Sequence, residues 1–562
     1  PQVAVLSGGE RRESGVCLGS CSGLRPHERH AEEVPLDDRE LPLLGAAQVL
    51  IAGGGTGGAS AGIAAGRAGG RPVVVEQQHA LGGVGTIGRI ARYWHGNRVG
   101  FTAELDAAVD TYGGESPYPR GKGGAWSVEW KQATLLEKLD EGGGTVLFNS
   151  LIAAAYMEGD RVSGALVASP YGAGLLTSEN TVDASGSADL AAAAGAPCRV
   201  VEADHVAVQG TGLSPVRPGV DYANSDHDFC DDNDPVDVTR LHIAARAKFP
   251  EAWDSSHLVD SRERRQIRGD VELGPLDILM DRTFPDSVVR ARSNFDSHGF
   301  TVHPAFLVKP PDKKGLWAWV PYRALLPQGI DGVLVTGLGM SAHRDALPVV
   351  RMQADVQNAG YAAGLAAAMA SERGMTVRRL PIRDLQKALV DCDNLPPEVL
   401  EHEDSFPLPE EILNKLVEEE LDHHRGIAAC FAHPEATRAT LLAALNDDER
   451  SETAALILGL HGEAAAPPVI VGALQEETWD EGWNFRGMHQ FGMSMSRHDG
   501  LLVALAHCGD GDQAGLIAQW AGRLTIESEF SHFRAIAWAA AELCRRHSET
   551  AGTLQSALRR LL

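Results

Sequence analysis

Residues 48–76 constrain the fold of this chain more than any other segment. Gln48 to Ala52 is a short, largely apolar run, and Val73 to Val75 is another, so both predict buried strands. Between them stand a glycine-rich turn and the segment SAGIAAGRAGG, whose small residues predict a tightly packed helix. The order of strand, turn, helix and strand predicts a β-α-β unit of an α/β fold.

The glycines of the turn match the pattern G-x-G-x-x-G directly after the first strand. Gly53 permits a tight turn, Gly55 lets the backbone approach a pyrophosphate, and Gly58 lets helix and strand pack closely. Thr56 and Gly57 lie at the predicted start of the helix, where free N–H groups and the helix dipole favour phosphate. The pattern predicts dinucleotide binding.

An acidic residue at the end of the second strand supports the same interpretation. Glu76 follows VVV at the position expected for an acid that accepts hydrogen bonds from an adenosine ribose. A carboxylate there disfavours the 2′-phosphate of NADP. The glycine pattern alone is weak, but strand, glycines, helix, strand and acid together are specific.

Three further segments follow the glycine turn: LGGVGTIG at Leu81–Gly88, TVDASGSADLAAAAGAP at Thr181–Pro197, and LLPQGIDGVLVTGLGMSAHRD from Leu325. With the turn, they resemble FAD-dependent oxidoreductases that have the glutathione-reductase type of FAD domain, specifically the group similar to fumarate reductase flavoprotein subunits. The resemblance spans about residues 46–370. It implies that the dinucleotide is FAD.

The resemblance also implies which residues contact FAD. They are Gly82, Gly83 and Thr86 along the flavin and its phosphates, Ser185 and Gly186 on the adenosine side, and Gly337, Gly339 and Ser341 at the ribityl chain and pyrimidine edge. The family usually has threonine where this chain has serine in the third segment. A helix from Val349 to Ala370 is expected to aim its positive end at the flavin. Arg351 either reinforces that charge or is a surface cation.

The order of patterns predicts a discontinuous Rossmann-like FAD-binding domain, an inserted α+β substrate domain and an all-α C-terminal domain. The phrases LGLHGE (Leu458–Glu463), LAHCGD (Leu505–Asp510) and LCRRHS (Leu543–Ser548) each end a predicted helix, which favours HEAT-like helical hairpins. The predicted boundaries are an N-terminal arm at 1–45, the FAD domain at 46–204 and 325–372, the inserted domain at 205–324, linker helices at 373–432 and the HEAT-like domain at 433–562.

Four side chains outside the FAD segments are candidates for catalysis. Tyr93 and His95 come shortly after the glycine segment 81–88, His298 lies in NFDSHG, and His343 follows the last predicted flavin strand. A histidine near its ordinary pKa can take a proton while hydride leaves for the flavin. Each histidine alone is also compatible with a structural hydrogen-bonding role, and His95 could instead anchor FAD covalently.

The loop Thr478–Asp499 is long for a connection between helices, which favours a functional loop. Its side chains Trp483, Phe485, Arg486 and His489 either cover a pocket or pack on one another. The acidic stretch SDHDFCDDNDPVD lacks the glycine and terminal glutamate of a calcium loop, so no metal site is predicted.

Composition excludes several classes of function. The net charge of −26 disfavours nucleic acid, and no apolar run is long enough to predict a membrane helix. No secretory signal is visible, and the eight cysteines form neither a CxxC nor a zinc spacing, so a cytoplasmic setting with reduced thiols is expected. No second G-x-G-x-x-G follows a strand, which argues against a separate NAD(P)H domain.

The sequence therefore predicts an oxidase or dehydrogenase that transfers hydride from a small organic substrate to FAD, with oxygen or an external carrier as the electron acceptor. Two alternatives remain. One is a fumarate-reductase-like enzyme that reduces an unsaturated acceptor, which a pocket with two arginines would favour. The other is a binding scaffold in which FAD is structural and the helical repeats hold a partner.

Overall fold

A computed structural model describes residues 14–17, 41–112, 125–200, 211–213, 215–216, 226–228, 235–252, 254–255, 264–297, 300–311, 314–475, 478–479, 483–484 and 494–560. Its strands are β1 (Ser14–Cys17), β2 (Leu43–Ala52), β3 (Pro72–Val75), β4 (Thr145–Leu147), β5 (Leu151–Glu158), β6 (Arg161–Ser169), β7 (Gly172–Asp183), β8 (Cys198–Arg199), β9 (Thr211–Gly212), β10 (Pro215–Val216), β11 (Asp226–Asp228), β12 (Asp254–Ser255), β13 (Gln266–Ile267), β14 (Ser287–Ser293), β15 (Leu316–Pro321), β16 (Val333–Val335), β17 (Trp483–Asn484) and β18 (Ser494–Met495). Its helices are α1 (Thr56–Arg67), α2 (Gly100–Tyr112), α3 (Val128–Glu141), α4 (Asp189–Ala193), α5 (Pro235–Lys248), α6 (Pro275–Leu279), α7 (Ala305–Val308), α8 (Leu347–Val350), α9 (Gln353–Glu372), α10 (Ile382–Asp391), α11 (Glu410–Glu420), α12 (His424–Ala432), α13 (Pro434–Ala444), α14 (Ser451–Leu460), α15 (Pro467–Ala473), α16 (Arg497–Cys508), α17 (Ala514–Ala521), α18 (Phe530–Arg546) and α19 (Ala551–Leu558).

The main sheet has a parallel half and an antiparallel half that meet at β7. On one side β7, β2, β3 and β4 pair in parallel, and β16 pairs in parallel with the end of β7. On the other side β7, β6, β5 and β1 form an antiparallel meander. The predicted β-α-β unit is therefore present as β2, α1 and β3, in a mixed α/β fold of the Rossmann-like type.

The N-terminal arm predicted at 1–45 differs from the structure at two described places. Residues 14–17 form β1, the edge strand beside β5, and β2 begins at Leu43. The early start of β2 follows from its pairing with β7, which continues back from Asn180 to Leu175. Of the remainder of the arm, only Leu41 and Pro42 are among the described residues.

Helices α1 and α9 cross so closely that glycine is required. A Cβ on Gly360 would lie 2.0 Å from the carbonyl oxygen of Gly57, and one on Gly364 would lie 2.0 Å from that of Ala61. Residues 57–66 of α1 are buried throughout, which explains the small residues of this helix. The crossing holds the two helices side by side; α1 begins four residues after the carboxyl end of β2.

The predicted helix from Val349 to Ala370 is divided in the structure. α8 ends at Val350, and α9 begins at Gln353, with Met352 as an extended cap (φ −60°, ψ 145°). Pro348 lies in the first turn of α8, which then packs on β14 and β15. The extended Met352 starts a new helix, so the N–H groups that open α9 belong to residues from Gln353 onward.

The described part of the predicted inserted domain shares its core with the β-α-β unit. Phe284, Val289 and Phe306 belong to the same continuous apolar cluster as Val49 and Ile63. β14 and β15 pair with each other as an antiparallel ribbon that packs against α8 and α9. The domain boundaries at 205 and 324 stay predictions.

Beyond residue 373 the described residues are helical, apart from the short pair β17 and β18. The three recurring phrases end α14, α16 and α18, and these helices pack in that order, each followed by a shorter helix that packs back on it or on the next one. A second apolar core, which includes Leu456, Leu502, Trp520 and Ile536, holds them together. The HEAT-like assignment stays a prediction.

Within the described part of the chain, no helix combines the length and apolarity needed to cross a bilayer. In the loop Thr478–Asp499, Trp483 belongs to β17, while Phe485, Arg486 and His489 lie outside the described residues.

Candidate functional site

A cleft of about 640 Å³ opens where α1 and α9 begin. Its lining comes from the segments 55–57, 77–78, 83–95, 184–186, 336–338 and 351–356, together with Arg264 and Asp296. The structure thus brings together residues from each of the four segments on which the family resemblance depends. Segments more than 250 residues apart along the chain meet in one cavity.

The three glycines of the turn have different surroundings. Gly53 has a φ of +92°, and a Cβ on Gly58 would lie 1.8 Å from the carbonyl oxygen of Gly53. A Cβ on Gly55 would meet nothing within 4 Å, because this residue faces the cleft. Gly55 is also the N-cap of α1, so the helix presents its first N–H groups to the cavity beside Thr56 and Gly57.

Glu76 lies beneath the glycine turn. Its carboxylate oxygens accept hydrogen bonds from the backbone N–H of Gly54 (2.6 Å) and of Gln78 (2.7 Å). Burial raises the pKa of Glu76, and these bonds oppose that rise. Glu76 is not part of the cleft lining, although Gln77 and Gln78 are, so its contact with a ribose stays a prediction.

The segment 81–88 turns sharply against the glycine turn. Gly82 and Gly83 both have positive φ, and the N–H of Gly82 donates to Gly54 O at 2.9 Å. Gly83 lines the cleft, whereas Thr86 is fully buried and its hydroxyl donates to the carbonyl oxygen of Leu81 at 2.7 Å. Gly82 and Thr86 lie outside the cleft lining, so their contact with the cofactor stays a prediction.

Ser185 and Gly186 line the cleft at the end of β7. Their position depends on Asp183, a fully buried residue that the sequence analysis missed. Asp183 accepts hydrogen bonds from the N–H and hydroxyl of Ser185 and from the N–H of Ala191. Burial raises the pKa of Asp183, and these three bonds oppose the rise. The aspartate in TVDASG was the available signal.

The segment after β16 contributes Thr336, Gly337 and Leu338 to the lining. The two other expected residues lie elsewhere. A Cβ on Gly339 would lie 2.8 Å from Ala188 N, and Ser341 is buried with its N–H bonded to Ala324 O. Both residues therefore connect the last strand to the core, because the chain turns inward after Leu338.

The start of α9 forms another part of the cleft. Arg351, Met352 and Gln353 all line it, and Arg351 Nη2 donates to the carbonyl oxygen of Asp296 at 2.7 Å. Two buried polar atoms in this wall, Thr336 Oγ1 and Gln353 Oε1, have no hydrogen-bond partner among the described residues. A buried polar atom is normally satisfied, so this wall is suited to a polar ligand.

The catalytic candidates do not all meet. Tyr93 and His95 line the cleft with Arg92 and Trp94, and His95 is exposed. The Tyr93 hydroxyl lies 3.0 Å from Gln357 Nε2, a bond that the sequence did not predict. Burial, as the largest cause, raises the pKa of Tyr93 well above its ordinary range.

His343 lies outside the cleft lining. Its Nδ1 accepts from the N–H of Asp345 at 3.1 Å, and its ring lies 5.5 Å from that of His303. Burial, as the largest cause, lowers the pKa of His343. His298 lies outside the described residues, as does most of the acidic stretch 225–237.

The chain is similar to several solved structures at low sequence identity. A geranylgeranyl bacteriochlorophyll reductase-like protein from Thermoplasma acidophilum is 13% identical with a TM-score of 0.33, and the match covers 71% of this chain and 99% of that chain. The anhydrotetracycline hydroxylase OxyS from Streptomyces rimosus is 13% identical with a TM-score of 0.32, over 78% of each chain. Aklavinone-11 hydroxylase, in a ternary complex with FAD and aklavinone, is 14% identical with a TM-score of 0.30, over 65% of this chain and 72% of that chain. No curated protein matches the chain significantly.

The family described as FAD dependent oxidoreductase matches residues 48–256 and 242–389. Together the two overlapping stretches span 48–389, which is more than half of the 562 residues. They include every residue that lines the cleft and exclude most of the helical C-terminal part. The chain belongs to the family of FAD-dependent oxidoreductases, and it is an enzyme that binds FAD.

Proposed function

We propose that this enzyme oxidises a small organic substrate by hydride transfer to FAD held non-covalently in the cleft, and that oxygen or an external carrier accepts the electrons. One observation carries the proposal: the dinucleotide-binding turn, the start of α9 and the side chains of Tyr93 and His95 all line the same cavity. FAD, when bound, supplies the two-electron acceptor.

The residues of the cleft suit FAD along its whole length. The backbone at Gly55, with the first N–H groups of α1, offers donors and open space to a pyrophosphate. Ser185 and Gly186 would face the adenosine of FAD, and the start of α9 would face its flavin. The unpartnered Thr336 Oγ1 and Gln353 Oε1 can bond to the polar edges of the cofactor.

His95 is our candidate for the group that takes the substrate proton. It lines the cleft and is exposed to it, so its imidazole can reach a ligand without first breaking a buried contact. Tyr93, whose hydroxyl is bonded to Gln357, forms the wall beside it. His343 lies outside the lining of the cleft, and His298 lies outside the described residues, so neither is part of this proposal.

The charges of the lining favour a second candidate. Arg92, Arg264 and Arg351 line the cleft against one carboxylate, Asp296, although the chain as a whole carries a net charge of −26. A positive cavity in an acidic protein concentrates anions. Some of the positive charge of these arginines would attract the pyrophosphate of FAD, and the rest would attract the carboxylates of a substrate. Reduction of an unsaturated acid, as in fumarate reductases, is therefore the second candidate.

Flavin absorbance separates these candidates while the substrate is still unidentified. The oxidised holoenzyme is mixed anaerobically with a panel of metabolites, half of them carboxylates, and a true electron donor bleaches the flavin. The chemically reduced holoenzyme is then mixed with unsaturated acids, and a true acceptor restores the colour. NADH and NADPH serve as negative controls in the first arm, and rapid bleaching by either would contradict the proposal of a substrate-reduced flavin.

The same assay tests His95. His95→Gln should retain FAD and slow bleaching by the best donor about 10²–10⁴-fold, the usual cost of losing a general base. His79→Gln is the matched control, since His79 is also exposed but does not line the cleft. Equal rates in the two variants would remove His95 from the proposal.

A further inference from the structure

A buried lysine, Lys131, lies behind the wall of the cleft and has no role in the reaction proposed above. Lys131 on α3 is only 2% exposed. Its Nζ lies 3.5 Å from the centre of the Trp126 ring, 5.0 Å from the centre of the Tyr93 ring and 3.4 Å from Tyr93 Oη. The two rings are 4.7 Å apart, so the ammonium group sits in an aromatic cage.

Both rings of the cage connect directly to the cleft. Tyr93 is itself part of the lining. Trp126 donates its indole N–H to Gly85 O at 2.8 Å, in the turn whose residues Gly83 and Val84 line the cleft. One layer of side chain or backbone therefore separates the amine of Lys131 from the ligand space.

The charge of Lys131 is only partly balanced. In the described part of the chain, no carboxylate forms an ion pair with Lys131 within 4 Å. The acid that acts on its charge, Asp106, is paired with Arg98 at 2.9 Å. The charged and titratable groups that face Lys131 are Tyr93, Arg98 and Asp106. Burial lowers the pKa of Lys131 to about 7, Asp106 opposes that change and Arg98 adds to it.

We propose that Lys131 is a positioning residue for the redox reaction, a buried amine that gains and loses a proton behind Tyr93 and Trp126 as the charge in the cleft changes. This inference rests on the proposed function. Hydride transfer from the substrate adds two electrons and a proton to the cofactor, which becomes an anion if no second proton follows. A proton taken from solvent by the neutral amine places a positive charge behind that anion. By thermodynamic linkage, the free energy by which reduction of the cofactor favours protonation of the amine equals the free energy by which the protonated amine favours reduction.

The midpoint potential of the bound FAD tests the proposal without any substrate. It is measured between pH 6 and pH 9 for the holoenzyme, for Lys131→Met and for Lys138→Met. Below about pH 7, the midpoint potential of FAD should be higher in wild type than in Lys131→Met. At a fixed applied potential, the ratio of reduced to oxidised flavin should be about tenfold higher in wild type. The two curves should converge as the pH rises and the wild-type amine loses its proton.

Lys138→Met is the matched control, because Lys138 lies on the same helix but pairs with Glu104 at the surface. It should follow wild type at every pH. Lys131→Arg, which keeps its charge throughout, should hold the high potential above pH 7 as well. If Lys131→Met follows wild type over the whole range, the proposal is overturned, while the FAD-dependent function stands.

A second measurement uses only the wild-type chain and so does not depend on whether the variants fold. The chain has nine lysines, so incorporation of ε-¹³C-lysine gives few NMR signals. One signal should titrate near neutral pH, and its midpoint should rise when the flavin is reduced with dithionite. The absence of any lysine that titrates between pH 6 and pH 8.5 would refute the role of Lys131. Purified protein without FAD would instead refute the proposed function.

Discussion

Two glycines three residues apart show how closely fold and site are combined in the nucleotide turn. Any side chain on Gly58 would collide with the carbonyl oxygen of Gly53, whereas the direction of a side chain on Gly55 is open. Gly55 has a φ of −65°, so its backbone accepts an L-residue without strain. Gly58 is needed for the fold, and Gly55 is needed only if something fills the cleft.

Gly55→Val should therefore give a folded protein that lacks FAD. The valine side chain would occupy the space through which a pyrophosphate approaches the backbone. FAD content is read from absorbance after denaturation, and folding from the thermal transition. Gly515→Val, at an exposed helical glycine that also has open space, should keep full FAD. A yellow Gly55→Val protein would refute our interpretation of the turn.

Lys131 should reduce stability in a pH-dependent way. Its pKa in the folded chain, about 7, is below the 10.5 of an exposed lysine, so the unfolded chain binds this proton more tightly. The loss in the free energy of unfolding caused by burying Lys131 is largest below pH 7 and becomes smaller as the pH rises towards 10.5. Lys131→Met should raise the free energy of unfolding at pH 6 by on the order of 3 kcal/mol, and by less at pH 9. Urea titrations at the two pH values measure this, and an equal gain at both would contradict it.

The elements of the fold differ in how far the sequence alone predicts them. β2, α1 and β3 follow from local periodicity and glycine spacing, and the structure confirms them. The break at Arg351 and Met352 does not, because the alanine-rich pattern is continuous and the break depends on the packing of α8 against β14 and β15. The cage around Lys131 was missed for the same reason. Tyr93, Trp126 and Lys131 come from separate stretches, and only tertiary packing unites them.

The crossing of α1 and α9 is the element on which the cleft depends, and Gly360→Ala tests it. The new Cβ would lie 2.0 Å from Gly57 O, so the helices would have to separate. We expect a loss of about 1–3 kcal/mol in the free energy of unfolding, the usual cost of overpacking, and weaker FAD binding. Gly552→Ala, at a helical glycine with open space, should be neutral or slightly stabilising. Unchanged FAD affinity in Gly360→Ala would show that the cleft tolerates a wider crossing.

At the scale of the whole molecule, the helical C-terminal part and the FAD-binding part are joined through α7. Phe306 belongs to the apolar core around β2 and α1, while Ala305 and Val308 belong to the core of the C-terminal helices. α16 passes so close that a Cβ on Gly500 would lie 2.5 Å from Leu307 O. A helix of four residues thus contributes to both cores, which the sequence did not indicate.

Arg534 on α18 extends this junction towards the cleft. It is 3% exposed, its Nη2 donates to Thr301 O at 2.5 Å, and burial lowers its pKa to about 10. Thr301 lies shortly before α7 in the chain, and Asp296, a few residues earlier, lines the cleft and accepts from Arg351. Arg534 thus contacts the chain five residues after Asp296, which lines the cleft.

Arg534→Met should lower the rate of flavin reduction by the best donor in the panel while FAD content stays complete. Removing the guanidinium should also cost about 1–3 kcal/mol of stability, since the partly buried carbonyl of Thr301 loses its donor. Arg546→Met is the matched control: Arg546 is on the same helix and also donates to backbone carbonyls, those of Ala506 and Gly509, but entirely within the C-terminal helices. It should lose similar stability and keep the wild-type rate, and Arg534→Lys should recover part of the rate. If the flavin is reduced at the wild-type rate in both methionine variants, the C-terminal helices stabilise the molecule without acting on the cleft. The hydrogen bond from Arg534 to Thr301 O would then have no effect on the position of Asp296.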